Sequence, residues 1–492
     1  MHQDEAWHQE RPKEECGVVG LYVPGEEASR MIFFALFALQ HRGQESSGIA
    51  VTDGTAVRMH KDMGLVSSVF DETILKSLPG DMGVGHNRYS TSGSSVHRNA
   101  QPIHCISEIG EIAVAHNGNL INAYELRKEM EAEGETFVST ADSEVIARLL
   151  VRNMKMGPEH AISATMQKLK GAYSVTVLTP RMVMGFRDPS GVRPLTVGRL
   201  GNGYMIASET CAFEPVGGVV EQEVHPGEFV IIDEKGMRMA QAVPAQPESM
   251  CLFEFIYFAR PDSVMFNTSL YNARVRMGEN LWKEHPVEAD IVVPVPDSGI
   301  PAAIGYARAS GIPFGEGMMK SRYIHRTFIQ PDQRMRELGV RMKLAPLKEN
   351  IEGKRVVLVD DSIVRGTTTN QIVKMMFDAG AKEVHVRITA PPIKFPCFYG
   401  IDMASKGELI AAVKTIDEIS QHLGASSLGY LSVDGAMDAV GEGERRFCRA
   451  CFTGNYPIPV PDKLSKLAFE EPPDVGEMAT VSTGQMSLPV ED

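Results

Sequence analysis

Residues 356–369, VVLVDDSIVRGTTT, constrain the fold more than any other segment of the chain. An apolar run, two adjacent aspartates and a loop rich in Gly, Ser and Thr predict a buried parallel strand, a ligand-binding loop and a helix start. Asp360 and Asp361 would emerge at the carboxyl end of the strand, where open α/β sheets bind ligands. The helix start would offer backbone N–H groups to a phosphate. The segment therefore predicts carboxylates for a magnesium-bound sugar diol beside a phosphate cradle.

The same segment resembles, along its whole length, the phosphoribosyl pyrophosphate (PRPP) motif of type I phosphoribosyltransferases. It is not a Walker A loop, because no Lys follows the glycine. A second loop, at residues 294–301, offers consecutive backbone amides as an anion nest, and in the resembled family this loop takes the pyrophosphate. The resemblance implies PRPP contacts from Asp297, Ser298, Gly299, Asp360, Asp361, Ser362, Arg365, Gly366, Thr367 and Thr368, with Mg²⁺ bound by Ser298, Asp360 and Asp361.

Residues 320–328 are cationic, with aromatic side chains between the charges. We interpret this segment as a mobile lid that closes over PRPP, excludes water and brings positive charge to the leaving group. The alternative is a solvated basic loop. Arg341 and Lys343 would add contacts to the pyrophosphate.

Composition limits the classes of partner. The chain has 492 residues, enough for about two to four domains. Its formal net charge of −14 argues against nonspecific binding to nucleic acid, and no apolar run is long enough to span a membrane. Residues 1–15 lack the apolar core of a signal peptide. We therefore expect a cytoplasmic protein whose partners are small molecules or other subunits.

Cys16 begins an apolar segment directly after the charged leader 1–15. If the leader is removed, the α-amino group of Cys16, with an ordinary pKa of about 7.7 to 8.0, can act as general base for the adjacent thiol. The alternative is a buried Cys in a first strand, since Cys is among the most buried residue types.

Polar segments downstream favour a nucleophile at Cys16. They are HRGQESSG at 41–48, GHNRYST at 85–91, HNGN at 116–119 and STADSE at 139–144. Together with Cys16 they resemble, in order and spacing, the N-terminal-nucleophile glutamine amidotransferases over residues 16–240. That resemblance implies an αββα sandwich, and the short apolar strands predicted within 171–233 fit it.

The amidotransferase resemblance also assigns roles to the motif residues. A thiol attacks the glutamine side-chain amide, an Asn side chain and the next backbone amide form the oxyanion hole, and an Arg and an Asp hold the glutamine carboxylate and ammonium. The implied catalytic residues are Cys16, Asn117 and Gly118, and the implied glutamine contacts are Arg42 and Gly43, from a closing loop, with Arg88 and Asp142. Residues 208–210 are expected to line the glutamine side. An ordinary ion pair is the alternative for Arg88 or Asp142 alone.

The remaining cysteines suggest a metal site. Cys448 and Cys451 form a C-x-x-C pair that is compatible with a zinc half-site, a redox pair or chance, and Cys251 and Cys397 are the other unassigned thiols of the second half. Four thiolates suit zinc or an iron–sulfur cluster equally well. One branch of the glutamine PRPP amidotransferases has a cleaved leader and a structural 4Fe-4S cluster on cysteines placed like these. That resemblance implies the cluster here and leaves Cys105 and Cys211 as core thiols.

We therefore expect a propeptide at 1–15, a glutaminase domain at 16–245, a phosphoribosyltransferase domain with an α/β parallel sheet at 246–465, and an acidic, disordered tail at 466–492. The linker is placed at 240–248. Resemblance to the glutamine PRPP amidotransferases implies transfer of ammonia from glutamine to PRPP, giving 5-phosphoribosylamine, pyrophosphate and glutamate at the start of purine biosynthesis. It also implies feedback inhibition by purine nucleotides and a homo-oligomer, either dimer or tetramer.

Three alternatives to this function remain open at the level of sequence. Another glutamine amidotransferase, such as a hexosamine-forming synthase, would share only the first half. A non-catalytic PRPP-binding regulator would share only the second half. A degenerate structural paralogue would have lost motif residues that are present here.

Overall fold

The computed structural model describes residues 16–89, 94–107, 110–321, 344–401, 406–441 and 447–461. Several predictions fall outside these residues: the propeptide 1–15, most of the lid 320–328, Arg341, Lys343 and the tail 466–492.

Two antiparallel sheets form the first half of the described chain. The first sheet has, in spatial order, the strands Val219–Glu223, Thr196–Leu200, Gly203–Ala207, Gly17–Tyr22, Met82–Arg88, Ser46–Thr52 and Val57–Met63. The second has Gly236–Gln241, Glu228–Asp233, Met182–Arg187, Gly171–Thr179, Gly110–Leu120 and Ile103–Ser107. The strand that follows Cys16 thus lies inside its sheet, between Gly203–Ala207 and Met82–Arg88.

The two sheets pack face to face with helices outside. Apolar residues of both sheets, such as Val84 and Leu178, share one fully buried cluster. The helix Ala28–Ala38 covers the outer face of the first sheet, and the helices Asp142–Asn153 and Pro158–Lys168 cover the second. The predicted αββα sandwich is confirmed.

A parallel sheet organises the second half. Its described strands run in the order Ile291–Pro294, Arg355–Asp360, Glu383–Ile388 and Ser427–Tyr430, and every neighbouring pair is parallel. Residues 356–359 are fully buried, as expected of a strand covered on both faces. The surrounding helices are Leu270–Glu284, Ile300–Ser310, Thr367–Asp378, Ile416–Leu423 and Val433–Val440. The predicted α/β domain is confirmed.

Shorter elements complete the described chain. The short helices, including one π-helix at Glu254–Phe258, are Val66–Val69, Glu72–Lys76, His97–Asn99, Ala123–Ala132, Met154–Met156, Thr210–Ala212, Glu214–Val216, Glu254–Phe258, Lys348–Ile351, Lys406–Glu408, Ile410–Val413 and Ala450–Thr453. The short strands pair as Met250–Cys251 with Phe447–Cys448, Val264–Met265 with Thr268–Ser269, and Met318–Lys320 with Leu344–Pro346.

Two element boundaries differ from the sequence prediction. The segment 362–369 predicts a loop, with a helix only over 370–379. The helix begins instead at Thr367, because Gly366 in the left-handed region (φ 84°) ends the loop. The strand Gly236–Gln241 takes up the start of the predicted linker, because Gln241 still pairs with Glu228. No helix in the described part of the chain is long and apolar enough to cross a membrane.

Candidate active sites

Cys16 lies immediately before the strand Gly17–Tyr22 and is only 3% exposed. Its Sγ donates a hydrogen bond to the Tyr89 carbonyl oxygen at 3.3 Å. Burial raises the pKa of the Cys16 thiol to about 11, although the Tyr89 hydrogen bond and the positive charge of Arg88 act in the opposite direction. At neutral pH the group is therefore a thiol, which needs a base before it can attack.

Asn117 and Gly118 lie in the strand Gly110–Leu120 of the second sheet. Asn117 is 1% exposed, and neither its Nδ2 nor its Oδ1 has a hydrogen-bond partner among the described residues. Gly118 has φ of 142°, and a Cβ there would lie 2.0 Å from the Ala172 carbonyl oxygen. A buried amide without a partner is rare in a folded protein and suits a ligand oxygen, as an oxyanion hole requires.

Charges of both signs act on the Cys16 thiol: Arg88 lowers its pKa, whereas Glu45 and Asp142 raise it. Arg88 is 2% exposed, with Nη1 3.8 Å from a Glu45 carboxylate oxygen. Asp142 is 4% exposed and accepts a hydrogen bond from the Leu120 N–H at 3.0 Å. Burial would raise the pKa of Asp142, but His116, the Leu120 N–H and Arg88 together lower it below its ordinary value. Asp142 is therefore a carboxylate at neutral pH and can bind a cation.

Arg42 and Gly43 contact main-chain atoms beside the Cys16 thiol, in Cys16 and Asn87 respectively. The Arg42 Nε donates to the Cys16 carbonyl oxygen at 2.9 Å, and its other nitrogens bind the carboxylates of Glu209 and Glu254. A Cβ on Gly43 would lie 2.6 Å from the carbonyl carbon of Asn87, so only Gly fits this close approach. The structure thus turns the Arg42 guanidinium toward the second half of the chain.

The acidic pair of the second half lies at the end of the strand Arg355–Asp360. Asp360 and Asp361 are 3% and 1% exposed. The Asp361 carboxylate accepts hydrogen bonds from Ser298 Oγ at 2.5 Å and Ser362 Oγ at 2.6 Å, and the Asp361 N–H donates to Asp360 Oδ1 at 2.9 Å. Carboxylate and hydroxyl oxygens are the ligands that Mg²⁺ prefers, so this donor set fits the ion.

Two loops converge on this acidic pair. In the first, Gly299 packs so tightly that a Cβ would lie 2.5 Å from the Val359 carbonyl oxygen, and Asp297 accepts a hydrogen bond from Lys320 Nζ at 2.5 Å. In the second, Arg365 contacts Glu408, and Gly366 leads into the helix that begins with Thr367 and Thr368. Backbone N–H groups at that helix start suit a phosphate.

The four cysteines of the second half come together in space. Cys251 and Cys448 are direct partners in parallel strands, and the charges of Cys397 and Cys448 both act on Cys451. Burial is the main cause that raises the pKa of Cys448 to about 12. No group of three or more His, Cys, Asp or Glu in the described ranges is arranged to hold one metal ion. A cubane cluster spreads its thiolates around several irons, so the four sulfur donors still fit such a cluster.

Comparisons with known proteins match both halves of the chain. A glutamine amidotransferase domain profile matches residues 86–215, and a phosphoribosyl transferase domain profile matches residues 276–394. The amidophosphoribosyltransferase of Synechococcus elongatus is 50% identical over 469 residues, which cover 94% of this chain and 95% of that protein. The chain belongs to the amidophosphoribosyltransferase family. It is therefore a glutamine-dependent pentosyltransferase, an enzyme of purine biosynthesis.

Solved amidophosphoribosyltransferase structures agree with this fold. The allosteric regulatory enzyme of purine biosynthesis superposes with a TM-score of 0.88 at 45% identity, over 93% of this chain and 99% of that chain. The glutamine PRPP amidotransferase of B. subtilis, solved with ADP and GMP, gives a TM-score of 0.87 at 44% identity, over 92% and 100% of the two chains. Because these matches span both halves, they confirm the predicted function and decide against a protein that shares only one half.

One residue that reaches the main chain of Cys16 through Arg42 was not predicted from the sequence. Glu254 lies far along the chain from Cys16, yet its carboxylate binds the Arg42 that contacts the Cys16 carbonyl. Glu209, expected to line the glutamine side, instead contacts Arg42 with a side chain that is 0% exposed. The sequence does contain a signal for Glu254. It is the single charge within the apolar run LFEFIYF at 252–258, and a buried charge of this kind needs a buried partner.

Proposed function

We propose that the two sites act in series, with ammonia released from glutamine at Cys16 and transferred to PRPP at the Asp360–Asp361 pair. The observation that carries this proposal is the presence, in one chain, of a buried thiol and a buried Asn amide without a described partner, on the two stacked sheets, and of two buried carboxylates at the end of a parallel strand. Family membership supplies the overall reaction, and these residues supply its steps.

In the glutaminase step, Cys16 Sγ attacks the side-chain amide carbon of glutamine. Asn117 Nδ2 and the Gly118 N–H stabilise the oxyanion, ammonia leaves, and water then hydrolyses the thioester to glutamate. Because burial holds Cys16 as a thiol, the proton must go to a base. Removal of the propeptide 1–15 would supply the α-amino group for that purpose.

The glutamine substrate would be held by opposite charges at its two ends. Arg88 would pair with the glutamine carboxylate and Asp142 with the ammonium, in keeping with the burial of both side chains. Arg42 and Gly43 would support the glutamine pocket from the side of the Cys16 main chain, where Arg42 is held by Glu209 and Glu254.

In the transferase step, the nitrogen of ammonia bonds to C1 of PRPP as the C1–O bond to pyrophosphate breaks. Loss of a proton from nitrogen gives 5-phosphoribosylamine. Asp360 and Asp361 would orient the ribose hydroxyls. Their fixed negative charge would also stabilise the positive charge that develops at C1 of PRPP in the transition state. Mg²⁺ held by Ser298, Asp360 and Asp361 would neutralise part of the pyrophosphate charge.

Backbone and hydroxyl groups of two loops would hold the phosphates of PRPP. The pyrophosphate would lie against Asp297, Ser298 and Gly299, whose loop is tightly packed at the strand end. The 5-phosphate would lie at the helix start, and the residues proposed to contact it are Ser362, Arg365, Gly366, Thr367 and Thr368.

A structural 4Fe-4S cluster on Cys251, Cys397, Cys448 and Cys451 is part of the proposal. The four thiols are free and mutually close, which supports a shared cluster over separate core cysteines. Zinc remains the alternative metal. Iron and sulfide analysis of anaerobically purified protein tests the assignment, and the absence of both would refute it.

Partners and location are also proposals. A related enzyme was solved with ADP and GMP, which supports purine nucleotides as feedback inhibitors here. We further propose a homo-oligomer, dimer or tetramer, and a cytoplasmic location, where reduced thiols are maintained. We also propose domain boundaries at 16–245 and 246–465. They are supported by the buried cluster around the parallel sheet, in which the residues of the second half begin at Met250.

The test of the proposed function is the release of glutamate and pyrophosphate with glutamine or ammonia as nitrogen source, with and without Mg-PRPP. Cys16→Ala should abolish glutamate release and keep ammonia-dependent pyrophosphate release. An equal loss of both would mean that Cys16 serves the fold instead. The intact mass of the active enzyme should correspond to a chain that starts at Cys16, and an active enzyme that retains Met1 would overturn the free-amine mechanism.

A further inference from the structure

A fully buried charged cluster lies between Cys16 and the second half of the chain. We call it the Arg42 cluster, and its members are the side chains of Arg42, Arg193, Glu209 and Glu254, each 0% exposed. Positive and negative charges are equal in number within it. Such a cluster is costly to bury unless its geometry is well satisfied, so its position beside the nucleophile requires an explanation.

Arg42 binds the main chain of Cys16 and the two carboxylates at once. Its Nε donates to the Cys16 carbonyl oxygen at 2.9 Å. Its Nη1 donates to Glu209 at 2.6 Å, while Nη1 and Nη2 reach the two carboxylate oxygens of Glu254 at 3.0 and 2.8 Å. A paired contact of this kind fixes the plane of the guanidinium. The direction in which Arg42 presents its Nε to Cys16 is therefore set by Glu254.

Glu254 belongs to the second half of the structure. It begins the π-helix Glu254–Phe258, whose apolar side chains lie in the same core as the parallel sheet. Arg274, in the helix Leu270–Glu284, donates to the Phe255 and Ala259 carbonyl oxygens at 2.9 and 2.7 Å. The π-helix that carries Glu254 is thus held by the domain that would bind PRPP.

The helix Leu270–Glu284, which carries Arg274, packs closely against the helix that follows the loop proposed for pyrophosphate. A Cβ on Gly278 of Leu270–Glu284 would lie 1.9 Å from the Ala302 carbonyl oxygen, in the helix Ile300–Ser310. Ile300–Ser310 begins directly after Gly299. Packed helices therefore connect the pyrophosphate loop to the π-helix, and Glu254 connects the π-helix to Arg42.

We infer that Glu254 is a positioning residue for the glutaminase half-reaction: supplied by the phosphoribosyltransferase domain, it orients Arg42, which fixes the main chain of Cys16. This inference rests on the proposed nucleophilic role of Cys16. Glu254 does not touch glutamine in this arrangement. It makes the reactivity of the thiol depend on the neighbouring domain, which suits an enzyme whose two half-reactions must stay in step.

The test compares Glu254→Gln with the parent enzyme in the full chain. Gln keeps the size of the side chain but removes the charge that holds Arg42. We expect kcat for glutamate release to fall by about 10- to 100-fold, because small displacements of a reacting group have effects of that order. Ammonia-dependent pyrophosphate release and KM for glutamine should change by less than about twofold. Iodoacetamide should alkylate Cys16 more slowly in the same variant, or with a shifted pH dependence of the rate. Mass spectrometry over a range of pH measures that rate.

Further variants separate positioning from general stability. Thr415→Ala removes the side-chain cap of the helix Ile416–Leu423, which lies in the second domain but outside this connection, so any loss of activity should be equal with glutamine and with ammonia as nitrogen source. Arg42→Lys keeps the positive charge but cannot reproduce the fork of contacts, and it should repeat the selective loss of glutaminase activity. Glu254→Asp keeps the negative charge but shortens its reach to Arg42, so it gives the answer if Glu254→Gln does not fold.

Equal loss of glutamine- and ammonia-dependent activity in Glu254→Gln would overturn the inference, because the cluster would then only hold the domains together. Unchanged glutaminase activity, or a rise in KM alone, would also overturn it. If glutamate release survives Cys16→Ala, the proposed function itself is wrong. If Cys16→Ala abolishes glutamate release and Glu254→Gln does not reduce its kcat, only this inference is wrong.

Discussion

Asn117→Ala gives a sharp test of the glutaminase site, because it should separate activity from stability. The Asn117 side chain is buried and makes no hydrogen bond within the described structure, so the substitution removes no folded-state hydrogen bond that the structure shows. Removal of one oxyanion donor should lower kcat for glutamate release about 100- to 1,000-fold, or about 2.7 to 4 kcal/mol in the barrier. Ammonia-dependent synthesis should persist.

Stability should respond in the opposite sense. A buried polar group without a partner destabilises a fold by about 1 to 3 kcal/mol, so its removal should leave the free energy of unfolding unchanged or raised. The backbone partner of Asn117 in the neighbouring strand, Ser174, is unaffected by the substitution. Urea unfolding and the steady-state release of glutamate and pyrophosphate measure the two effects on the same preparation.

Asn280→Ala is the matched control. Asn280 is also a buried Asn, but its Nδ2 donates to the Gly435 carbonyl oxygen at 3.1 Å and to Asp438 at 2.8 Å. This variant should lose about 1 kcal/mol or more of stability and keep the parent ratio of glutamine to ammonia use. If Asn117→Ala kept full glutaminase activity, or lost both activities and stability as Asn280→Ala would, the assignment of the oxyanion hole would be wrong.

Further predictions concern the other sites. Asp360→Asn combined with Asp361→Asn should remove pyrophosphate release with either nitrogen source, and normal ammonia-dependent turnover would refute their role. Cys448→Ser should remove bound iron and sulfide, whereas Cys105→Ser should not. Burial lowers the pKa of His86 from 6.5 to about 3, so the unfolded chain takes up the proton first and acid reduces stability between these values. The stability deficit of His86→Gln, measured by urea unfolding, should therefore shrink as pH falls through that range; a constant deficit would contradict the buried neutral imidazole.

The sequence was sufficient for elements whose signal is local. An uninterrupted apolar run followed by two aspartates predicted the buried strand and the emerging carboxylates, because a parallel strand covered on both faces needs apolar residues at every position. The same pattern could not place the helix start. Thr367 to Thr369 are polar and resemble a loop, yet Gly366 turns the chain so that they begin the helix.

Long-range contacts were beyond any local pattern. The C-x-x-C pair indicated a metal site, but only the fold shows Cys448 beside Cys251 in a two-stranded parallel ladder. Likewise, Arg42 fitted a loop motif of the first half, while its carboxylate partner Glu254 lies in the second. Arg42 and Glu254 are 212 residues apart, so their pairing depends on how the two domains pack. That packing is determined by many residues of both domains and not by a local motif.

The contact between the halves has a direct consequence for the transfer of ammonia. Gly400 lies so close to the strand Gly110–Leu120 that a Cβ would be 3.0 Å from Gly118, and Asn119 of that strand donates to the Phe398 carbonyl oxygen at 2.9 Å. Arg193 donates to the Tyr399 carbonyl oxygen from the same side. The segment 398–400 of the second half, which follows Cys397, therefore packs directly on the strand of Asn117. Under the proposed mechanism, ammonia released beside Asn117 would meet this packed segment before bulk water, where protonation at neutral pH would destroy its nucleophilicity before it met PRPP.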